Sequence, residues 1–138
     1  MMKKRSLLKA TMIAALYCMM LISLTACAAP ESAKETAAAV KIINGTEILL
    51  DETVAVKKDA PTAQDALVQA CQSKKLAYQN KNGLFDGFGG VESTQEDGWL
   101  FYFNGDLPEK GVADVLLEDN GENLIEMKFV NYSEAFKQ

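Results

Sequence analysis

The chain contains no histidine among its 138 residues. This absence removes the side chain that most often acts as a general base and as a neutral metal ligand. It also excludes a cysteine–histidine nucleophile, because a catalytic thiol needs a neighbouring base. The Gly-rich run at residues 87–90 is too short for a dinucleotide-binding loop, and no pair of the many acidic residues is singled out. The sequence therefore predicts a binding protein and not an enzyme.

Cysteine is scarce, with three residues at positions 18, 27 and 71. The first lies in a mostly apolar segment, residues 10–24, that follows four basic residues, which is the pattern of a secretory signal. This segment is shorter than the ~20 apolar residues that span a bilayer. Residues 24–27, LTAC, resemble the lipobox of bacterial lipoproteins, in which the Cys is lipidated and becomes the first mature residue. An ordinary signal peptide with an incidental Cys is the alternative.

The lipobox predicts a signal peptide over residues 1–26 and a lipid on Cys27. It implies an exported protein that is lipid-anchored to the bacterial cell membrane or cell surface. Residues 28–39 are rich in Ala, Glu and Lys without apolar periodicity, so we interpret residues 27–39 as a flexible tether, with a short helix as the alternative. The remaining thiol, Cys71, has no partner for an internal disulfide.

Basic residues are also few once the signal is removed. The mature chain keeps 10 basic against 19 acidic residues, a formal charge of −9. Nucleic-acid binding needs a basic surface, so nucleic acid is excluded as a partner. The acidic domain is not expected to bind anionic lipid either. The lipid anchor is expected to attach the protein to the membrane.

One segment has convincing helical periodicity, residues 59–76. Pro61 suits the start of a helix, and Thr62 with Asp65 forms a pair like a capping box. The buried stripe predicted by the i, i+4, i+7, i+8 spacing comprises Ala63, Leu67, Ala70 and Cys71. On that stripe Cys71 is most simply a small core residue, and a reactive thiol is the alternative.

The rest of the domain has the periodicity of strands. Residues 40–57 predict a hairpin whose turn is at Asn44–Gly45. Ile48 has the same alternation as the later apolar residues of its strand and is expected on the same face. Asp51 and Glu52 interrupt this alternation, which predicts a bulge there. Five short apolar runs follow the helix at residues 76–80, 84–91, 98–105, 112–118 and 123–132. The order of hairpin, helix and strands predicts an α+β fold, a β-grasp-like mixed sheet with one main helix packed on one face.

The run DGWLFYFNG, residues 97–105, is the densest aromatic stretch. In a strand, Trp99, Phe101 and Phe103 share one face, and Leu100 and Tyr102 take the other. One face is expected to be core, which leaves the second face solvated, paired with a neighbour or used for binding. The alternative is that all these aromatics are structural and that function lies elsewhere.

Several short motifs have an order and spacing that resemble a known family. They are TAQDAL (62–67), GLFDGFGGV (83–91), Gly98–Trp99 with Asn104–Gly105, GVAD (111–114) and the acidic Gly turn before the last strand. Together they resemble the C-terminal module of transcobalamin and intrinsic factor, and the bacterial transcobalamin-like domain of surface lipoproteins. The resemblance covers about residues 40–132 and identifies 40–138 as the domain.

The resemblance implies a soluble-ligand-binding β-grasp domain and a small-molecule ligand, with cobalamin or a related corrinoid as the candidate. Trp99 would be the leading contact, and Val115 stands where the family usually has an aromatic residue. The other implied contacts are Leu100, Phe101, Tyr102, Asn104, Asp114 and Tyr132. In the family a separate helical domain completes the ligand site, so a transporter, a second ligand-binding protein or a second copy is an expected partner. A protein–protein or adhesion surface without a small-molecule ligand is the alternative.

Overall fold

The computed structural model describes residues 34–119 and 121–137, which form an α+β domain. The predicted signal peptide, the lipidated Cys27 and residues 28–33 of the predicted tether lie outside these residues. Within the described part of the chain, no helix has the length and hydrophobicity needed to cross a membrane. The elements are β1 (Glu35–Asn44), β2 (Glu47–Lys57), α1 (Ala63–Lys74), β3 (Tyr78–Lys81), β4 (Leu84–Phe88), β5 (Val91–Glu92), β6 (Asp97–Phe103), β7 (Leu124–Asn131) and α2 (Tyr132–Ala135).

The main sheet has four strands in the order β2–β1–β7–β6. Its central pair, β1 and β7, is parallel, and the two outer pairs are antiparallel. The helix α1 packs on β1 and β2, which gives the predicted β-grasp-like arrangement of a mixed sheet and one main helix. The strands β3, β4 and β5 form a separate antiparallel sheet. The α+β fold is confirmed.

The strand β1 begins at Glu35, so the predicted tether is wrong for residues 35–39. These residues pair with the end of β2, from Glu35 opposite Lys57 to Ala39 opposite Thr53. Thr36 and Ala38 are buried, whereas Glu35 and Ala37 are exposed. The alternation of a half-buried strand is present, but it is too weak to be recognised, because Ala also occupies positions 37 and 39 between and beside the buried residues.

The predicted hairpin forms at Asn44–Gly45, where Gly45 has a φ of 63°. The predicted bulge at Asp51 and Glu52 is wrong, because both residues stay in register with β1. The register shifts instead between Ile42 and Ile43, which inserts Leu49 as the extra residue of β2. Beyond this bulge Ile48 leaves the core and is 60% exposed.

The helix α1 begins and ends where the sequence predicts. Thr62 is its N-cap and forms a complete capping box with Asp65, and Lys75 ends the helix in a left-handed conformation. Burial opposes ionisation of Asp65, but hydrogen bonds from Thr62 and Lys58 outweigh it and lower the pKa of this carboxyl. All four residues of the predicted stripe are buried.

The predicted strand at residues 112–118 is wrong. The segment makes turns and one isolated bridge to Thr62, and it covers the start of the helix. The Ala63 N–H donates to the Val115 carbonyl at 2.8 Å, and the Gln64 N–H donates to the Val112 carbonyl at 2.9 Å. These carbonyls satisfy backbone donors that a helix start leaves without intrahelical partners.

Cys71 is a fully buried core residue, as the helical spacing predicts. Burial raises the pKa of its thiol to about 11. At pH 8 the native thiol should react with a thiol reagent about a hundredfold more slowly than in the unfolded chain, because the thiolate is the reactive form. Stopped-flow labelling with and without denaturant measures the two rates, and the Cys71→Ala variant identifies the signal. Equal rates in the two states would contradict the buried position.

Candidate ligand-binding face

The strand β6 separates its side chains as the alternation predicts. Trp99 is 6% exposed and belongs to the core, and Phe101 and Phe103 pack against that core. Leu100 and Tyr102 point to the other side of the sheet and are half-buried. The face that bears Leu100 and Tyr102, which we call the open face, is the side of the main sheet opposite α1.

Trp99 joins the two sheets. Its ring meets Phe88 of β4 edge to face at 5.0 Å between centroids and lies 5.2 Å from the Phe129 ring of β7. Its indole N–H donates to the Val91 carbonyl of β5 at 2.9 Å. In this arrangement Trp99 has little exposed surface and its N–H already has a partner, so the structure gives it a core position, and its role as a ligand contact stays a prediction.

The open face carries a compact group of charged and aromatic side chains. Tyr102 lies opposite Glu126 on β7, and Leu100 lies opposite Lys128. The Lys128 Nζ is 4.8 Å from the centroid of the Tyr102 ring and 3.5 Å from a carboxylate oxygen of Glu126. An ammonium over an aromatic ring is attracted by the negative face of that ring, so this contact fixes Tyr102 and Lys128 side by side.

An open groove of about 670 Å³ runs from this group toward the short helix α2. Ile43 and Val130 supply apolar walls, and Tyr102 and Lys128 supply an aromatic ring and a positive charge. Its other lining residues are Gly45, Phe129, Asn131, Glu134 and Ala135. The combination of apolar walls and a few placed polar groups is typical of small-molecule sites.

The end wall of the groove is built by α2. Asn131 caps this helix by accepting from the Glu134 N–H at 3.3 Å, and its amide donates to Asp97 of β6 at 2.9 Å. Tyr132 lies over Gly98, where a Cβ would overlap the tyrosine hydroxyl. Only glycine at this position lets the ring lie against β6, so Tyr132 fixes α2 beside the groove without lining it.

The remaining predicted site residues lie elsewhere. The Asn104 side chain accepts from the Leu124 N–H at 2.8 Å, and the Asn104 N–H donates to the Leu124 carbonyl at 2.9 Å, so this residue ties β6 to β7. Asp114 is exposed, and Val115 packs against the core beside the start of α1. Since α1 covers the opposite side of the sheet, these two residues are separated from Tyr102.

The structure thus brings Tyr102 and the helix α2, which begins at Tyr132, to one groove. It places Trp99 in the core and Phe101 against the core. It adds Lys128, Ile43 and Val130, which the sequence reasoning missed. The signal for Lys128 was present, since it alternates with the buried Ile125 and Met127 in the last strand and so faces away from the core. Among the described residues, no group of three Cys, Asp or Glu side chains is placed to hold a metal ion.

No protein-family model matches this sequence, and no curated protein matches it. Among solved structures, the chain is similar to haptocorrin in complex with cobinamide, with a TM-score of 0.55 and 10% identity. The match covers 70% of this chain and 26% of the haptocorrin chain, so the chain spans about a quarter of that protein. A protein from Ruminococcus gnavus ATCC 29149 whose suggested role is metal binding matches with a TM-score of 0.48 and 11% identity, over 70% of this chain and 98% of its own. The first likeness supports a distant transcobalamin-like fold.

Proposed function

We propose that the chain is an exported, lipid-anchored protein whose domain binds a small molecule, a corrinoid, in the open-face groove. The observation that carries the proposal is the pairing of Tyr102 and Lys128 at an open groove of about 670 Å³ that has both apolar and polar lining residues. Pockets for small ligands fall in the range of roughly 300–1,000 Å³. The fold likeness to a protein in complex with cobinamide supports the ligand class.

The chemistry of the groove suits this ligand class. A corrin ring is a broad, mostly apolar macrocycle that carries polar groups at its periphery. Ile43 and Val130 offer apolar surface to the ring, and the Tyr102 ring offers a flat contact. The Lys128 ammonium and the Asn131 amide can hydrogen-bond peripheral oxygens.

The groove is open, and small ligands are held most tightly when 70–90% of their surface is buried. A ligand on the open face would therefore keep one side in solvent until a second surface covers it. We assign that second surface to a membrane partner, either a transporter or a second ligand-binding protein. The lipid on Cys27 would hold the domain next to such a partner.

Retention of radiolabelled cobinamide by membranes that contain the full-length chain tests the proposal. Membranes with the unsubstituted chain should retain the label, and membranes without the chain should not. Tyr102→Ala should weaken retention about tenfold, because it removes one aromatic contact. Leu84→Ala is the matched control, since Leu84 is 66% exposed on the other sheet and its loss should leave retention unchanged.

Absence of retention, for both cobinamide and cobalamin, would overturn the corrinoid assignment. Equal weakening by Tyr102→Ala and Leu84→Ala would overturn the location on the open face. Circular dichroism of each variant confirms that the fold is intact before binding is compared.

A protein-interaction function is the second candidate, favoured by a different observation. Leu84 and Leu116 are 66% and 60% exposed. Leu84 follows Gly83, where an added Cβ would come within 3.3 Å of the Ala113 side chain, three residues before Leu116. Contiguous exposed apolar patches mark protein-binding surfaces, and these two leucines lie on neighbouring segments. Partner capture that is lost in a Leu84→Ser, Leu116→Ser double variant but retained in Tyr102→Ala would favour this function.

A further inference from the structure

The strand β2 is an edge of the main sheet. Its pairing with β1 determines which of its N–H and C=O groups point out of the sheet. The Ala39 N–H donates to the Asn123 carbonyl at 2.8 Å, so the odd-numbered residues of β1 turn their peptide groups toward β7. The even-numbered residues of β1 then bond to the even-numbered residues of β2, as the register requires. The outward peptide groups of β2 therefore belong to Asp51, Thr53, Ala55 and Lys57.

One hydrogen bond confirms this direction. The Gln69 side chain of α1 donates to the Ala55 carbonyl at 2.8 Å, on the outer side of the strand. Gln69 is exposed, so its side chain can leave this carbonyl when a better partner arrives. Among the described residues, no strand pairs with this side of β2.

The opposite edge of the sheet, β6, is covered at its two ends. The Trp99 N–H donates to the Ser93 hydroxyl at 3.3 Å, and the Asp97 carbonyl accepts from the Thr94 N–H at 2.7 Å. Phe103 exchanges backbone hydrogen bonds with Asp106. The long uncovered edge is therefore β2, and such edges accept a further strand.

The charges on β2 are complementary to those on a second copy of β2. Asp51 and Lys57 have the same parity, lie on the open face and carry opposite charges near the two ends of the in-register segment. Within one chain, both residues form ion pairs with residues of β1. The nitrogen–oxygen distance is 4.0 Å both between Asp51 and Lys41 and between Lys57 and Glu35. These exposed pairs are at the outer limit of an ion pair and contribute little.

We propose that two copies of this chain associate through antiparallel pairing of their β2 strands, which joins the two main sheets into one. With the two-fold axis at Val54, Asp51 lies directly opposite Lys57 of the second copy, and the symmetry repeats this pair. Thr53 then lies opposite Ala55 of the second copy, so the centre contains only small side chains on the open face. The partner is another copy of the same chain, and this inference does not rest on corrinoid binding.

The charge pattern selects this register over its neighbours. An axis at Thr53 places Asp51 opposite Ala55 and loses both ion pairs. An axis at Ala55 places Asp51 opposite Asp59 and creates two repulsive contacts, which destabilise a sheet. On the helix side Glu52 is already paired with Lys74 at 3.0 Å, so no carboxylate is left facing the axis.

Disulfide cross-linking of full-length chains in membranes tests the pairing and its register. Two differently tagged copies are produced together, one with Thr53→Cys and one with Ala55→Cys. Directly opposite residues in a hydrogen-bonded pair have Cα atoms about 5.5 Å apart, within reach of a disulfide. Mild oxidation should give a heterodimer on a non-reducing gel. When both copies carry Thr53→Cys, cross-linking should be weak. The two residues 53 are then diagonal neighbours across the strand pair, about 7–8 Å apart.

Charge reversal provides the second arm. Lys57→Asp should lower the cross-linked fraction about tenfold, because two attractive pairs become repulsive. The combined Asp51→Lys, Lys57→Asp variant should restore it, and both sites are exposed, so the fold is retained. No heterodimer, equal cross-linking by a Leu84→Cys control, or failure of the combined variant to restore the heterodimer would overturn the proposal.

Discussion

The Cys27→Ser variant should lose its lipid completely and leave the membrane fraction. Lipidation alkylates the thiol of the lipobox Cys, and a serine hydroxyl is not a substrate for that step. The sequence LTAC at residues 24–27, behind a basic and an apolar segment, is what predicts the modification. Labelling cells with an alkyne analogue of palmitate, followed by fractionation, measures both the lipid and the location.

The chain supplies its own control for this experiment. Cys71 is fully buried in the core, so Cys71→Ala should keep the label and the membrane location. Label that persists in Cys27→Ser, or that is absent from the unsubstituted chain, would contradict the lipoprotein assignment. In either case the fold and the open-face groove would be unaffected, because they belong to residues 34–137.

The Trp99→Ala variant should lose about 3–5 kcal/mol of folding stability. The indole fills the space between the two sheets, in contact with Phe88 and Phe129, and its N–H satisfies the Val91 carbonyl. Truncation leaves a cavity at this junction and removes the one hydrogen bond that the ring makes to β5. Urea unfolding followed by far-ultraviolet circular dichroism gives the free-energy difference without relying on tryptophan emission.

Tyr102→Ala is the matched control, since Tyr102 is three residues away on the same strand and faces the other side of the sheet. It should cost under about 1 kcal/mol, because a half-exposed ring gives up little burial. Trp99→Phe should fall between the two, with the ring contacts partly kept and the hydrogen bond lost. Equal losses for Trp99→Ala and Tyr102→Ala would contradict the separation of core and open face.

Local patterns were enough to predict the helix and the separation of faces on β6. Thr62 and Asp65 form a capping box through neighbouring atoms of one chain segment, so no tertiary information is needed to foresee it. The same holds for the hairpin at Gly45. The faces of Trp99 and Tyr102 followed from strand alternation alone.

Features that depend on tertiary contacts were not predictable in the same way. Residues 35–39 become a strand because β2 is long enough to pair with them, and their own side chains give only a weak signal. Val112 and Val115 read as strand residues, but their carbonyls serve the start of α1 instead. The groove needs β1, β6, β7 and α2 together, which is why Lys128 and Ile43 were missed.

The most direct test of the central proposal is nuclear magnetic resonance mapping of cobinamide on the full-length protein in detergent micelles. The proposal predicts that methyl signals of the groove residues Ile43 and Val130 shift on titration, while those of the core residues Leu67 and Val56 stay unchanged. Tyr102→Ala should reduce the shifts and Leu84→Ala should not. Shifts confined to the segment around Asp114 and Val115, or no shifts at saturating cobinamide, would contradict binding on the open face.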